Sequence, residues 1–241
     1  MNDLTPDHAE ESLAGQIDDA VPSHGYRMLP VVGLGGSAGG MEALGAFLEA
    51  TPTDTGAAFV VVLHTSATHE AALAQVLQRA TPMRVVPVST RERIVRDTVY
   101  VVAPGKALRT RGETLEVMDI PPGHGRQVAV DYFFRALADT HGAHAVAVVL
   151  SGVDGDGAIG VKRIKERGGL TIAQEPHEAL HNGMAQSAIA TGMIDWVLPV
   201  RDIGARIHAY LRLESRLRLP PEKAPAGGVG RGAASIEPED E

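Results

Sequence analysis

Short β-branched apolar runs alternate with amphipathic stretches along most of the chain, a pattern that predicts strands separated by helices. Leu29–Leu34 reads as an apolar strand, followed by glycines and then a helix with Met41, Leu44, Phe47 and Leu48 on one face. Ala57–His64 (AAFVVVLH) is apolar at consecutive rather than alternating positions, as in a strand buried on both faces. A helix over Ala71–Ala80 and strands at Arg84–Val88 and Thr98–Ala103 come next. A hairpin over Ala107–Met118 then turns at Arg111-Gly112. Beyond it the pattern predicts a helix at Asp131–Thr140, a strand at Ala145–Leu150 and a helix from Asp156 to Arg167. Leu170–Ala173 and Trp196–Pro199 read as strands, Met184–Ala190 and Arg201–Leu211 as helices. Strands joined by helical crossovers imply the α/β class: a doubly wound, mostly parallel sheet with helices on both faces, three layers in a single domain.

Composition sharpens the boundaries. Hydrophobic residues make up 44% of the 241, enough for a substantial core. The net charge of −8 resides in the two ends: six acids against Arg27 before residue 29, and five against Lys223 and Arg231 after residue 219. Residues 1–28 are therefore expected to be an acidic polar tail, with at most a short helix around Ala9–Ile17. The domain is expected over 29–212, and 213–241 as a Pro/Gly/Ala-rich, acidic, disordered tail. The body between the tails is charge-balanced and offers no basic footprint for a phosphate backbone, and 4% aromatic residues leave few stacking platforms, so no nucleic-acid partner is expected. Cysteine is absent, which removes disulfides, thiol nucleophiles and cysteine metal sites. No apolar run approaches the length of a membrane span. The expectation is a cytoplasmic protein without direct membrane insertion.

In a parallel sheet, active sites lie at the carboxyl ends of the strands. Three of those ends carry polar chemistry: Gly33-Leu-Gly-Gly-Ser-Ala-Gly-Gly40, His64, and Ser151-Gly-Val-Asp-Gly-Asp-Gly157. Serine, histidine and aspartate on three strand ends suit a nucleophile, a general base and an orienting acid, should they converge. The glycine segment supports two readings. Residues 33–38 fit the dinucleotide fingerprint G-x-G-x-x-A, but no Asp or Glu stands from Thr55 to Thr68 to hold a ribose hydroxyl. Residues 35–39 spell G-x-S-x-G, the turn that lifts a serine above a sheet at a helix N-terminus. The plain alternatives are that Ser37 caps a helix, that His64 is a core histidine bonded to backbone, and that Asp154 and Asp156 serve as turn and N-cap residues. The order Ser37, His64, Asp156 also differs from the Ser, acid, His order of α/β-hydrolases.

A further motif, His177-Glu-Ala-Leu-His181, is a literal H-E-x-x-H. Pro176 before it and Asn182-Gly183 after it leave too little helix for a zinc site, and no third ligand is evident. A coincidental match on a solvated segment is expected there.

Taken together, the three strand-end segments resemble the catalytic domain of the CheB family of chemotaxis protein-glutamate methylesterases. The likeness runs in order from Leu29 to Leu211. It rests on GLGGSAGG at 33–40, VVVLH at 60–64 and LSGVDGDG at 150–157, supported by VYVVAP at 99–104, VDYFF at 130–134 and the Asn-Gly-Met that ends at Met184. The resemblance implies a Ser37–His64–Asp156 triad, with the backbone N–H groups of Ala38 and Val153 as oxyanion donors, and no metal or organic cofactor. It implies hydrolysis of glutamyl methyl esters, with glutamine deamidation by the same acyl chemistry, on the cytoplasmic helices of methylated chemoreceptors or related signalling proteins. A catalytically weak relative acting as a signalling or binding module is the alternative. This sequence departs from the family pattern at Gly36 (usually Ala), Leu63 (Gln), Asp154 (Gly) and Ala185 (Pro). A carboxylate at Asp154 would stand close to the oxyanion site. Family members often carry an N-terminal phosphoreceiver domain, which 28 residues cannot form, so control by a partner, or none by its own phosphorylation, is expected.

Overall fold

A computed structural model describes residues 28–63, 70–102, 106–119 and 128–216. The expected helix at Ala9–Ile17, both expected tails except 28 and 213–216, and His64 lie outside the described residues. In chain order the elements are β1 (Val31–Gly36), α1 (Gly40–Ala50), β2 (Ala58–Leu63), α2 (Glu70–Arg79), β3 (Arg84–Val88), β4 (Arg91–Arg93), β5 (Thr98–Val102), β6 (Lys106–Arg111) and β7 (Thr114–Asp119). There follow α3 (Ala129–His141), β8 (Ala145–Val149), α4 (Ala158–Glu166), β9 (Leu170–Gln174), α5 (Gly183–Ala190), β10 (Trp196–Leu198) and α6 (Val200–Arg216).

Seven strands form a parallel sheet in the order β10-β9-β8-β1-β2-β5-β3. Every residue of β1, β2, β5, β8 and β9 is buried, as consecutive apolar runs require when helices cover both faces. One face is sealed by Leu44, Phe47 and Leu48 of α1, Leu73 and Leu77 of α2, and Ile203 and Ile207 of α6. The other is sealed by Val130, Phe133, Phe134 and Leu137 of α3, Val161 and Ile164 of α4, and Met184 and Ala188 of α5. Each of the Val, Leu, Ile, Phe and Met side chains among these contributes about 1.5–3 kcal/mol by leaving water. The result is the expected three-layer, doubly wound arrangement. Pro87 falls on the edge strand β3, where a missing backbone donor is tolerated.

Three details differ from expectation. β1 runs through Gly35 and Gly36 rather than stopping at Leu34, because the glycines keep pairing with Val62, Leu63 and Val149 on both sides. A Cβ on Gly33 would stand 2.9 Å from the Phe133 and Phe134 rings, and one on Gly35 would strike Val130. The G-x-G pattern thus lets α3 press onto the strand, a packing role that needs no nucleotide. The hairpin β6–β7 is joined by β4 into a second, three-stranded antiparallel sheet, with Arg91 opposite Glu116 and Arg93 opposite Thr114. Helix α6 continues to Arg216, past the helix end expected at Leu211.

Candidate active site

β1 sits between β2 and β8; the chain first builds the β2-β5-β3 side and then crosses to build β8-β9-β10 on the other. That makes the gap between the carboxyl ends of β1 and β8 the point where the strand order reverses, the place where such sheets bind ligands. Ser37 is the first residue after β1, and the loop 150–157 follows β8.

The turn at Ser37 is short. Gly40 N–H donates to Ser37 O at 2.9 Å, and Gly39 enters the helix at φ 75°, a left-handed conformation that costs a residue with a side chain 1–2 kcal/mol or more. A Cβ on Gly39 would also lie 2.6 Å from Ser151 Oγ. Strand, tight turn and helix therefore follow one another as a nucleophile elbow requires. The N-cap of α1 is Gly39, with no side-chain cap, so Ser37 does not serve as the helix cap.

The loop after β8 is pressed against this turn. Ser37 N–H donates to Ser151 O at 2.9 Å, and a Cβ on Gly152 would lie 3.1 Å from Ser37 Cβ and collide with Met184. Ser37 and the start of the Asp156 loop are thus brought together. His64 lies outside the described residues; its covalent neighbour Leu63 ends β2 opposite Gly36, the covalent neighbour of Ser37. Two of the departures from the family pattern fit one another, since the Leu63 side chain fills the space a Cβ on Gly36 would enter, at 3.0 Å.

Asp156 is buried, at 3% exposure, and its carboxylate accepts Val130 N–H (2.9 Å, Oδ2) and Asp131 N–H (2.8 Å, Oδ1). These are orphan donors at the start of α3, so the positive end of that helix holds the carboxylate. Asp131 returns the arrangement by accepting Gly160 N–H of α4 at 2.7 Å. Each helix start is capped by the aspartate of the other. The N-cap of Asp156's own helix is Gly157, so the residue caps, but across 26 positions of sequence rather than locally. Burial, reinforced by the Asp156 charge, raises the Asp131 carboxyl above its ordinary value, while Gly160 N–H opposes that rise. Asp154, half-buried, accepts Asp156 N–H at 3.2 Å.

Backbone donors at the gap divide into two kinds. Ser37 N–H is taken by Ser151 O, and Gly152 N–H by His181 O at 2.9 Å. Among the described residues no acceptor takes the N–H of Ala38 or Val153. The Val153 side chain stands 61% exposed at the rim.

Several residues here were not anticipated as site residues. Gln174, buried at the end of β9, accepts Ser151 N–H at 2.9 Å through Oε1 and donates to Glu178 at 3.1 Å. Glu178 also accepts Val200 N–H at 2.6 Å and so caps α6. Polarity at the carboxyl end of a buried strand, the rule that singled out Ser37, would have found Gln174 too. His177–His181 is turn rather than helix, with Glu178 committed to α6, so the segment is no zinc helix. Among the described residues no group of three or more His, Asp or Glu is placed to hold a metal.

The sequence profile of the CheB methylesterase family matches residues 32–207. A protein of Rhodobacter capsulatus described as an "uncharacterized 104.1 kDa protein in hypE 3'region" is 38% identical over 166 residues, 66% of this chain and 17% of that one. The protein-glutamate methylesterase/protein-glutamine glutaminase of Hydrogenovibrio crunogenus is 32% identical over 199 residues, 81% of this chain and 51% of that one. This chain thus spans about half the length of the curated methylesterase relatives it matches. The crystal structure of the Thermotoga maritima CheB methylesterase catalytic domain superposes with a TM-score of 0.69 at 27% identity, covering 76% of this chain and 98% of that one. A family profile spanning most of the chain and a common architecture over an entire catalytic domain agree: this chain belongs to the CheB methylesterase family.

Proposed function

We propose that the protein is a serine hydrolase that removes methyl esters from glutamyl side chains of chemoreceptors, with deamidation of glutamine as a second reaction at the same site. The observation that carries this reading is Ser37 at a strand–turn–helix elbow, directly beside the loop that buries Asp156 at the sheet's switch point. Family membership supports it, as do the relatives named for both activities. The substrates are methylated cytoplasmic helices of chemoreceptors or related signalling proteins, and the reaction takes place in the cytoplasm. No helix among the described residues is long and apolar enough to cross a membrane.

In the mechanism, Ser37 Oγ attacks the ester carbonyl while His64 accepts its proton. The oxyanion of the tetrahedral intermediate is held by the N–H groups of Ala38 and Val153. His64 returns the proton to the methoxy oxygen, the bond between that oxygen and the former carbonyl carbon breaks, and methanol departs to leave an acyl-serine. Water, deprotonated by His64, then attacks the acyl group to release the glutamate carboxylate and restore Ser37. With a glutamine substrate the same steps release ammonia. Asp156 fixes the histidine tautomer and stabilises its cation. No metal or organic cofactor enters these steps.

Methanol released from methylated receptor membranes by the purified protein tests the reading. The wild type is expected to release it, and Ser37→Ala to lose at least about 1,000-fold in rate with its fold intact. Release by Ser37→Ala at the wild-type rate overturns the assignment of the nucleophile. A folded wild type with no release identifies a binding module instead.

A further inference from the structure

One buried hydroxyl beside the candidate nucleophile joins three separate segments of the chain. Ser151 is 1% exposed. Its Oγ lies 3.0 Å from Ala38 O and 3.1 Å from His181 O, and accepts His181 N–H at 3.0 Å. Its backbone is engaged as well: the C=O receives Ser37 N–H and the N–H reaches Gln174, both at 2.9 Å. A hydroxyl has one proton and two lone pairs. Oγ therefore donates to one carbonyl at a time while accepting from His181.

What this controls follows from the turn itself. The Ser37 peptide groups on either side are held by Ser151 O and by Gly40 N–H. The next plane, between Ala38 and Gly39, precedes a glycine at φ 75°, and glycine permits that plane to reorient at little steric cost. Its carbonyl is the Ala38 O that Ser151 Oγ reaches. The same Oγ ties down His181, next to the Asn182–Met184 segment that packs on Gly152.

We infer that Ser151 is a positioning residue: its hydroxyl restrains the Ala38–Gly39 peptide plane and clamps the 181–184 segment, so that the turn carrying Ser37 keeps its reactive shape. It touches no reacting atom and acts through the turn. The inference rests on the esterase reading for its substrate, but not for its chemistry, since any reaction of Ser37 Oγ passes through the same turn.

The test uses Ser151→Ala in the full chain, with methanol release measured beside covalent labelling by a fluorophosphonate, an electrophile that reports serine reactivity without a receptor. Rates are expressed per folded molecule. Removing the hydroxyl leaves buried backbone groups unpaired, and kcat and the labelling rate are expected to fall about 10- to 100-fold with KM within about twofold of wild type. A rise in KM with kcat unchanged, or wild-type labelling, overturns the inference. If Ser151→Ala does not fold, Ser151→Cys, which keeps the shape with a weaker donor, carries the test with the same signs. Ser37→Ala separates the two ideas. If it abolishes labelling while Ser151→Ala labels normally, the positioning role fails alone. If the wild type neither labels at Ser37 nor releases methanol, the esterase reading fails and this role with it.

Discussion

The gap beside β1 and β8 and the antiparallel sheet β4–β7–β6 both gather charged and polar side chains, yet they use them differently. In the gap, Asp156, Asp131, Ser151 and Gln174 are buried, and each bonds to backbone N–H or C=O groups of a distant segment. On the antiparallel sheet, Glu116 pairs with Arg91 at 2.7 Å and Arg109 at 2.8 Å, Glu113 with Arg93 at 3.2 Å, and Lys106 with Asp119 at 2.6 Å. Those pairs link side chain to side chain at the face of the sheet, with Glu116 half-buried and its arginine partners exposed, so attraction is partly screened and long side chains lose entropy. Buried groups bonded to backbone fix loop positions; exposed ion pairs decorate a sheet that already exists.

The largest break in this contrast comes at Asp156. Asp156→Ala strips two N–H groups at the start of α3 of their acceptor and is expected to cost about 2–4 kcal/mol in denaturant unfolding. Asp156→Asn retains part of the cap, so its stability loss is smaller, while ester hydrolysis still drops by about 1,000-fold or more through loss of the histidine's partner. Full hydrolysis by a folded Asp156→Asn removes Asp156 from the mechanism.

An intermediate case lies at the far end of α3. Burial, with a smaller contribution from the charge of His144, pushes the imidazole of His141 down to about 4. Its folded value lies below its unfolded value, so the protein holds its full stability above about pH 6.5 and loses it as pH falls toward 4. The loss reaches about 3 kcal/mol. His141→Phe is expected to flatten that part of the acid-unfolding curve; an unchanged slope between pH 6.5 and 4 contradicts the assignment.

The smallest effect belongs to the antiparallel sheet. The Arg109 hydrogen bond, backed by the Arg109 and Arg91 charges, holds the Glu116 carboxyl below its ordinary value even though burial opposes it. Glu116→Gln is nevertheless expected to move the melting temperature by less than about 2 °C. A shift as large as that of Asp156→Ala would erase the distinction between the two regions.

How much of this could be read from sequence follows the same division. β2 and β8 are legible because unbroken apolar runs announce strands covered on both faces. β4 is not, because Arg-Glu-Arg carries no strand signal and is held by tertiary contacts, its pairing with β7 and the Tyr100 hydroxyl on Arg93 O. The end of β1, beyond Leu34, is hidden because glycine has no apolar signature, yet Gly35 pairs with Val62 and Val149 and Gly36 with Leu63. Ser37 and Asp156 were visible because strand ends concentrate chemistry. That Asp156 caps α3, or that Ser151 Oγ reaches Ala38 across 113 positions, depends on tertiary contacts that no local pattern encodes.

The central claim is that Ser37 is the nucleophile of this site. Incubating the protein with a fluorophosphonate and mapping the adduct by peptide mass spectrometry addresses it most directly. One stoichiometric adduct is expected on the Ser37 Oγ, absent from Ser37→Ala and slowed in Asp156→Asn. A stoichiometric adduct on another serine, or undiminished labelling of Ser37→Ala, would contradict it.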